Sequence, residues 1–298
     1  MTNTTRTLTF SFDGSEHEDH HINLATYIES LEGLVDLVTQ ANKIVNGESS
    51  EVEMEVVAEQ PGSFETVVNF VQSGGVDVLS QIGLMGGAAA AGSLFGVLDW
   101  LKGRPMQEIN IKTDGTGEAK QKIATINVEG DTLDCSEITA KLLKNPKIRL
   151  GIDKLVHTPL SSDGTSKVTV KNGDDITLQI ENENANIYKK PESLMVVETV
   201  TDDVEGNVNF TKINFNGAAG WEMQYGPLGR FAIRMEDIDF LAKINESDEN
   251  GKFVDISSTD LFSVDMTRTE EEVNGRKRKA KYVVTKVKRH RKHVGKIV

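Results

Sequence analysis

The sequence has almost no cysteine and lacks the short motifs that mark common catalytic sites. Cys135 is the single cysteine among 298 residues, which excludes an intramolecular disulfide framework and is typical of a reducing cytoplasm. The patterns GxSxG, HExxH and GxGxxG and the Walker A loop are absent. The first residues, MTNTTRTLTFSF, lack the basic and apolar regions of a signal peptide. We expect a cytoplasmic protein that is not an enzyme, with membrane association as an alternative.

Charge is missing from the stretch VLSQIGLMGGAAAAGSLFGVL, which runs from Val78 to Leu98. As one helix it would be roughly 31 Å long, about the thickness of a hydrocarbon core. Its glycines form two small-xxx-small pairs, which allow helices to approach closely. The stretch and its flank therefore predict contacts to a second copy of the chain or to a membrane, made by Gly83, Gly87, Gly92, Gly96, Leu94, Phe95 and Trp100.

The same stretch has a second interpretation, which its composition favours. Alanine and glycine dominate its centre, whereas strongly apolar residues are few. A helical hairpin broken near Gly86 and Gly87, and buried inside a globular core, fits this composition better than a membrane span.

Charge of opposite sign is concentrated at the two ends of the chain. Residues 1–105 hold 15 acidic and 4 basic residues, whereas residues 275–298 hold 11 Lys or Arg and no acid. A protein surface, including the acidic residues 1–105 of the same or a neighbouring chain, is the expected partner, and nucleic acid ranks below it. A solvated edge strand is the simpler alternative. The predicted contacts are Arg276, Lys277, Arg278, Lys279, Lys286, Lys288, Arg289, Arg291 and Lys292.

The patterns of apolar residues predict an α+β protein of three units. Residues 1–105 are read as a β-α-β unit with apolar Gly/Ala-rich helices. Alternation predicts a first strand over Thr7–Phe12 with Leu8, Phe10 and Phe12 on one face, and Asn23 and Gly47 should bound the long helix that follows. Ser63 could cap a short helix through Val71. Residues 106–190 are read as a second α+β unit.

Residues 191–298 form the third predicted unit, which is rich in short strand patterns. They predict a small antiparallel β-barrel or sandwich, with a helix or strand over Ile238–Ile244.

Two groups of residues could carry chemistry, and neither is favoured. His17, His20 and His21 are metal-ligand types, but neighbouring residues cannot all converge on one ion, and a solvated loop is the simpler interpretation. Cys135 and His157 could act as nucleophile and base, but a buried structural thiol is more common. We expect no metal and no cofactor.

Several segments resemble an uncharacterised family of bacterial and prophage-borne hypothetical proteins. The resemblance lies in GW at 220–221, AIRMEDIDFLAKI at 232–244, KFVDI at 252–256, DLFSVDM at 260–266 and YVVTKVKRH at 282–290, with GSF at 62–64, LLKNPKIR at 142–149 and HTPL at 157–160. It assigns no activity and no catalytic residues. It implies a mobile-element setting, in which phage defence or counter-defence is common.

Together these features predict a non-enzymatic, self-associating interaction protein, acting in phage–host conflict if the resemblance holds. The alternative is a membrane-associated effector that inserts Val78–Leu98 into a bilayer.

Overall fold

The computed structural model describes residues 3–14, 23–57, 65–86, 92–115, 120–162, 164–192, 196–247, 253–273 and 275–292. The chain divides into two compact units. Unit 1 comprises Met1–Ile109 and Ile123–Val196, and unit 2 comprises Asn110–Lys122 and Val197–Val298. Each unit is described by itself below.

Unit 1 contains both strands and helices. Its strands are β1 (Asn3–Asp13), β2 (Val52–Val57), β3 (Glu65–Ser73), β4 (Glu108–Asp114), β5 (Gln121–Val128), β6 (Asp131–Ser136), β7 (Lys167–Asn172) and β8 (Asp175–Glu181), of which β4 and β5 also contribute residues to unit 2. Its helices are α1 (Leu24–Asn46), α2 (Val78–Ile82), α3 (Leu94–Leu101), α4 (Glu137–Lys144), α5 (Pro146–Ile152), a π-helical turn (Asp153–His157), α6 (Thr158–Leu160) and a 3₁₀ segment (Asn182–Tyr188).

An antiparallel sheet of order β2-β3-β1-β7-β8 forms one layer of unit 1. Strand β1 alternates as its sequence predicted, because Leu8, Phe10 and Phe12 share one face and are fully buried. The bounds of α1 also follow the prediction. The Asn23 side chain accepts hydrogen bonds from the first turn, and Gly47 ends the helix with a positive φ of 100°.

Helix α1 crosses the helical segment α5 and the π-helical turn at unusually close range. An added Cβ atom on Gly33 would lie 2.7 Å from the Gly151 carbonyl oxygen and 2.8 Å from the Leu155 nitrogen. Only glycine allows two helix backbones this close. Near the start of α1, the Tyr27 hydroxyl lies 2.7 Å from the Thr66 hydroxyl of β3, which ties the helix to the sheet.

The short helix predicted through Val71 is wrong, because Glu65–Ser73 is strand β3. Alternate residues of β3 are buried, including Val68 and Phe70, and this period of two outweighs the capping signal of Ser63.

Unit 2 is built mainly from five long or medium strands. Its elements are β9 (Val197–Lys212), β10 (Trp221–Gln224), a 3₁₀ turn (Gly226–Leu228), β11 (Arg230–Met235), α7 (Ile238–Asn245), β12 (Leu261–Val273), β13 (Arg276–Lys277) and β14 (Lys281–Arg291). Pairing runs β9-β10-β11-β14-β12 and returns to β9, which closes a barrel. All of these pairs are antiparallel except β11–β14, which is parallel.

Helix α7 covers one end of the barrel core. Phe240 of α7 packs against Phe210, Trp221 and Phe262, with ring centroids 6.0–6.3 Å apart. The carboxylate of Asp237 accepts hydrogen bonds from the Phe240 nitrogen at 3.0 Å and the Val287 nitrogen at 2.7 Å. One buried carboxylate therefore caps α7 and fixes it to β14.

The three-unit layout predicted from the sequence differs from the structure. Strand β1 pairs with β7, with Phe10 opposite Val170, so that residues on both sides of the predicted boundary at 105 share one sheet. The predicted C-terminal barrel is present, but it is mixed rather than antiparallel.

Candidate interaction surfaces

The uncharged stretch is two short helices rather than one long one. Asp77 caps α2 through the Leu79 nitrogen, and Gly83 ends it with a φ of 96°. Ser93 caps α3. None of the helices in the described part of the chain is long and apolar enough to cross a bilayer. The interruption expected in this stretch is present, because α2 ends at Ile82 and α3 begins at Leu94.

The residues predicted to contact a second copy or a membrane have local roles. Leu94 and Phe95 are 0% and 1% exposed within unit 1, so they cannot make that contact in this fold. Gly83 and Gly92 adopt positive φ values in turns, and the Gly96 nitrogen donates to the Ser93 hydroxyl. The guanidinium of Arg104 stacks 5.3 Å from the centre of the Trp100 ring. Gly87 lies outside the described residues.

Helix α1 carries an apolar surface that the sequence pattern did not single out. Leu24, Ile28 and Val35 are 69%, 48% and 47% exposed, and Leu31 between them is half-buried. These four residues, named here the exposed α1 face, follow one another at spacings of four, three and four. Such a spacing produces a continuous apolar stripe along a helix.

A shallow groove of about 450 Å³ runs along this stripe, lined by Ile28, Leu31, Glu32, Val35 and Asp36. The Glu32 carboxylate is 3.2 Å from the Lys154 ammonium. Within the described residues, Asp36 and Glu29 have no basic group within 4.0 Å. The groove is thus apolar along its floor and acidic along its rim.

The signal for this surface was present in the sequence. Eight Leu, Ile or Val residues occur from Leu24 to Ile44, which is more than one face of a helix needs for burial. Only a second apolar face explains the excess, but periodicity does not say which face meets the core.

Most lysines of the basic C-terminal run are paired within the barrel. Lys286 is 3.0 Å from Asp239, Lys288 is 2.6 Å from Asp265, and Lys292 is 3.1 Å from Asp255. These hydrogen bonds raise the pKa values of Lys286 and Lys288. The sequence predicted that acidic residues within 1–105 would pair with the basic run. For these three lysines the acidic partners instead lie in unit 2.

The other predicted basic contacts lie at two places on the barrel. Arg278 pairs with Glu271 at 3.0 Å, and the Lys279 ammonium donates to the Arg230 carbonyl at 3.1 Å. Among the described residues no carboxylate lies within 4.0 Å of the remaining four arginines and lysines, all exposed, which are Arg276, Lys277, Arg289 and Arg291.

The candidate catalytic and metal residues do not form a site in the described chain. Burial, with a smaller effect of Asp134, raises the pKa of Cys135 to about 12, so its thiol stays protonated at neutral pH. The His157 ring hydrogen-bonds to Asp153 at 2.8 Å. The histidines of HEDHH lie outside the described residues, and elsewhere in the described chain no three metal-ligand side chains cluster.

Comparison of the chain with protein-family models, with curated proteins and with solved structures finds no match. The function must therefore be argued from the surfaces described above.

Proposed function

We propose that this chain is a non-enzymatic interaction protein that associates with a second copy of itself through the exposed α1 face. The observation that supports this is the stripe of Leu24, Ile28, Leu31 and Val35, which unit 1 leaves largely in contact with solvent. An apolar stripe at this spacing is the pattern by which helices pair.

The size of the stripe sets the expected strength of association. Covering a half-exposed aliphatic side chain contributes about 1 kcal/mol, so eight side chains in a symmetric pair contribute roughly 8 kcal/mol. Lost translational and rotational freedom opposes this by at least about 4 kcal/mol. The net free energy of association is therefore at most about 4 kcal/mol, which corresponds to a dissociation constant of about 1 mM or weaker.

Charge favours an antiparallel arrangement of the two helices. In a parallel pair, Asp36 would face its own copy, and like charges repel. In an antiparallel pair Leu24 lies opposite Val35, and Asp36 approaches the positive N-terminal end of the partner helix. The remaining repulsion between acidic rims is screened by salt, so association should strengthen as salt rises.

Sedimentation velocity on matched variants tests the proposal. Ile28→Asp places a charge in the middle of the stripe, whereas Ile176→Asp does the same at a residue of β8 that is 54% exposed. We expect wild type and Ile176→Asp to form dimers at about 1 mM, and Ile28→Asp to remain monomeric. Dimers of Ile28→Asp as strong as those of wild type would refute the role of α1.

Phage–host conflict is the setting that the sequence resemblance implies, and we propose it for the assembled protein. The plating efficiency of phages on bacteria that express wild type should differ from that on bacteria with an empty vector. The Ile28→Asp variant should lose this difference if assembly is required, and an unchanged plating efficiency for wild type would contradict the setting.

A second candidate function is binding of single-stranded nucleic acid by the barrel. Five strands in a Greek-key barrel, with β9 returning beside β12 and a helix after the third strand, match the arrangement of the OB-fold. In such barrels the second and third strands and the adjoining loops bind oligonucleotides. Here β11 carries the exposed Arg230 and Arg234. The connection between β12 and β14 carries Arg276 and Lys277 in the short strand β13, and its Lys279 donates to the Arg230 carbonyl.

Fluorescence anisotropy with a labelled single-stranded oligonucleotide tests this second function. Binding at 50 mM salt should weaken steeply as salt rises, because phosphate contacts release counterions. The double variant Arg276→Glu, Lys277→Glu should lose binding, while Lys292→Glu, at a lysine already paired with Asp255, should keep it. No binding by wild type at 50 mM salt would exclude this function.

A further inference from the structure

Unit 1 encloses a cavity of about 530 Å³ beside the end of α3 and the 3₁₀ segment. Its apolar lining includes Leu98, Leu101, Met106, Ile187 and Val196. This volume lies within the range of small-molecule sites, which are mostly apolar with a few placed polar groups.

Arg149 of α5 is the polar residue set deepest in the lining of this cavity. Arg149 is only 7% exposed. The Nη2 atom donates to the Lys189 carbonyl at 3.3 Å, and the buried Nε atom has no hydrogen-bond partner. A buried cation with a single hydrogen bond from its guanidinium is costly.

Asp153, which follows α5, favours the charged form of Arg149 electrostatically but forms no ion pair with it. Asp153 uses one carboxylate oxygen for the His157 ring, at 2.8 Å, and the other to accept from the Lys190 nitrogen, at 2.9 Å. In the described part of the chain no carboxylate lies within 4.0 Å of the Arg149 guanidinium. Burial lowers the pKa of Arg149 to about 10, so the side chain remains charged at neutral pH.

The rim of the cavity adds to the positive charge. Lys189 and Lys190 are exposed at the rim, together with one acid, Glu192. Arg104 also lines the cavity, but its guanidinium is already bound to Asp131 at 2.8 Å. The group that lacks an anion is therefore Arg149.

We propose that this cavity binds a small amphiphilic carboxylate, whose head pairs with Arg149 and whose hydrocarbon chain lies along Leu98, Leu101 and Val196. A carboxylate accepts two parallel hydrogen bonds from a guanidinium, which makes the pair strong and directional. The apolar lining gives the chain of the ligand the same environment as a protein core.

Isothermal titration calorimetry with decanoate below its micelle concentration tests this site. Decanol and decyltrimethylammonium share its chain but lack the carboxylate. Wild type should bind decanoate at least tenfold more tightly than either. Equal affinities for the three compounds, or no binding of decanoate, would overturn the proposal.

A matched pair of variants locates the site. Arg149→Met keeps much of the side-chain volume and removes the charge, and Lys147→Met removes an exposed charge from the same helix. Decanoate affinity should fall at least tenfold in Arg149→Met and be unchanged in Lys147→Met. Arg149→Met should also unfold at a higher temperature than wild type without ligand, because the unpaired buried charge is gone. Unchanged decanoate affinity in a folded Arg149→Met protein would overturn the proposal.

Discussion

Replacing Gly33 with alanine tests the close crossing that holds α1 in unit 1. The new Cβ atom would lie 2.6 Å from the Lys154 Cβ, 2.7 Å from the Gly151 carbonyl oxygen and 2.8 Å from the Leu155 nitrogen. Two of these atoms belong to the backbone and the third is fixed to it. No rotation of a side chain relieves the overlap, so the helices themselves must separate.

The cost of this separation can be estimated from the contacts. Restoring ordinary contact distances requires a shift of about 0.7 Å, which forfeits a quarter to a half of the dispersion energy of neighbouring atom pairs. Overpacking of this kind costs about 1–3 kcal/mol. The higher helix propensity of alanine offsets up to about 1 kcal/mol of this cost. The free energy of unfolding of unit 1 should therefore fall by about 1 kcal/mol.

Urea unfolding followed by fluorescence measures this change. Trp100 lies in unit 1 and Trp221 in unit 2, so the experiment uses a Trp221→Phe background in which Trp100 alone reports. Gly217→Ala is the control, because an added Cβ there meets nothing within 4 Å. Gly151→Ala should also destabilise unit 1. The double variant Gly33→Ala, Gly151→Ala should lose less unfolding free energy than the two single variants together, because both substitutions widen the same helix contact. A Gly33→Ala protein as stable as wild type would refute the close crossing.

Two further predictions concern carboxylates of unit 2, one half-buried and one buried. Burial raises the pKa of Asp202, but Lys122, Thr113 and Arg268 lower it by more, so the net shift is downward. The stability from this carboxylate is therefore present above about pH 3.9 and is lost as pH falls through the lower folded pKa. Asp202→Asn should reduce the unfolding free energy at pH 7 by about 1–2 kcal/mol, as measured by urea titration. This loss should become smaller below pH 4, and a loss that is the same at both pH values would contradict the pairing of Asp202 with Lys122 and Arg268. Asp237→Ala should cost about 2 kcal/mol, because it leaves the Phe240 and Val287 nitrogens without their acceptor. The exposed neighbour Asp239→Ala should cost less than about 0.5 kcal/mol, and equal losses would contradict the role of Asp237.

The elements with strong local signals could be predicted from the sequence. Asn23 and Gly47 mark the ends of α1 through side-chain capping and a positive φ, and both effects depend on adjacent residues only. The alternation of β1 likewise needs no distant partner. Strand β3 was missed because a capping residue was weighed above the alternation of Val68 and Phe70.

The features that depend on distant contacts could not be predicted in this way. The parallel pair β11–β14 closes the barrel between segments some fifty residues apart, with Ile233 opposite Tyr282. Which apolar face of α1 remains exposed depends on where Gly33 meets Gly151, and neither glycine stands out in its local sequence. The lack of an ion pair at Arg149 could not be predicted either. It depends on Asp153, whose carboxylate is hydrogen-bonded to the His157 ring and to the Lys190 nitrogen.

The mass of the native particle tests the central claim most directly. Sedimentation equilibrium of wild type across about 20 µM to 2 mM, at low and high salt, compares the particle with the chain mass of 32.7 kDa. Pairing through the exposed α1 face predicts a mass that rises toward twice this value with concentration, and that rises further at high salt because the acidic rims are screened. A mass of 32.7 kDa at every concentration and salt would contradict self-association, and dimers that dissociate as salt rises would contradict the α1 interface.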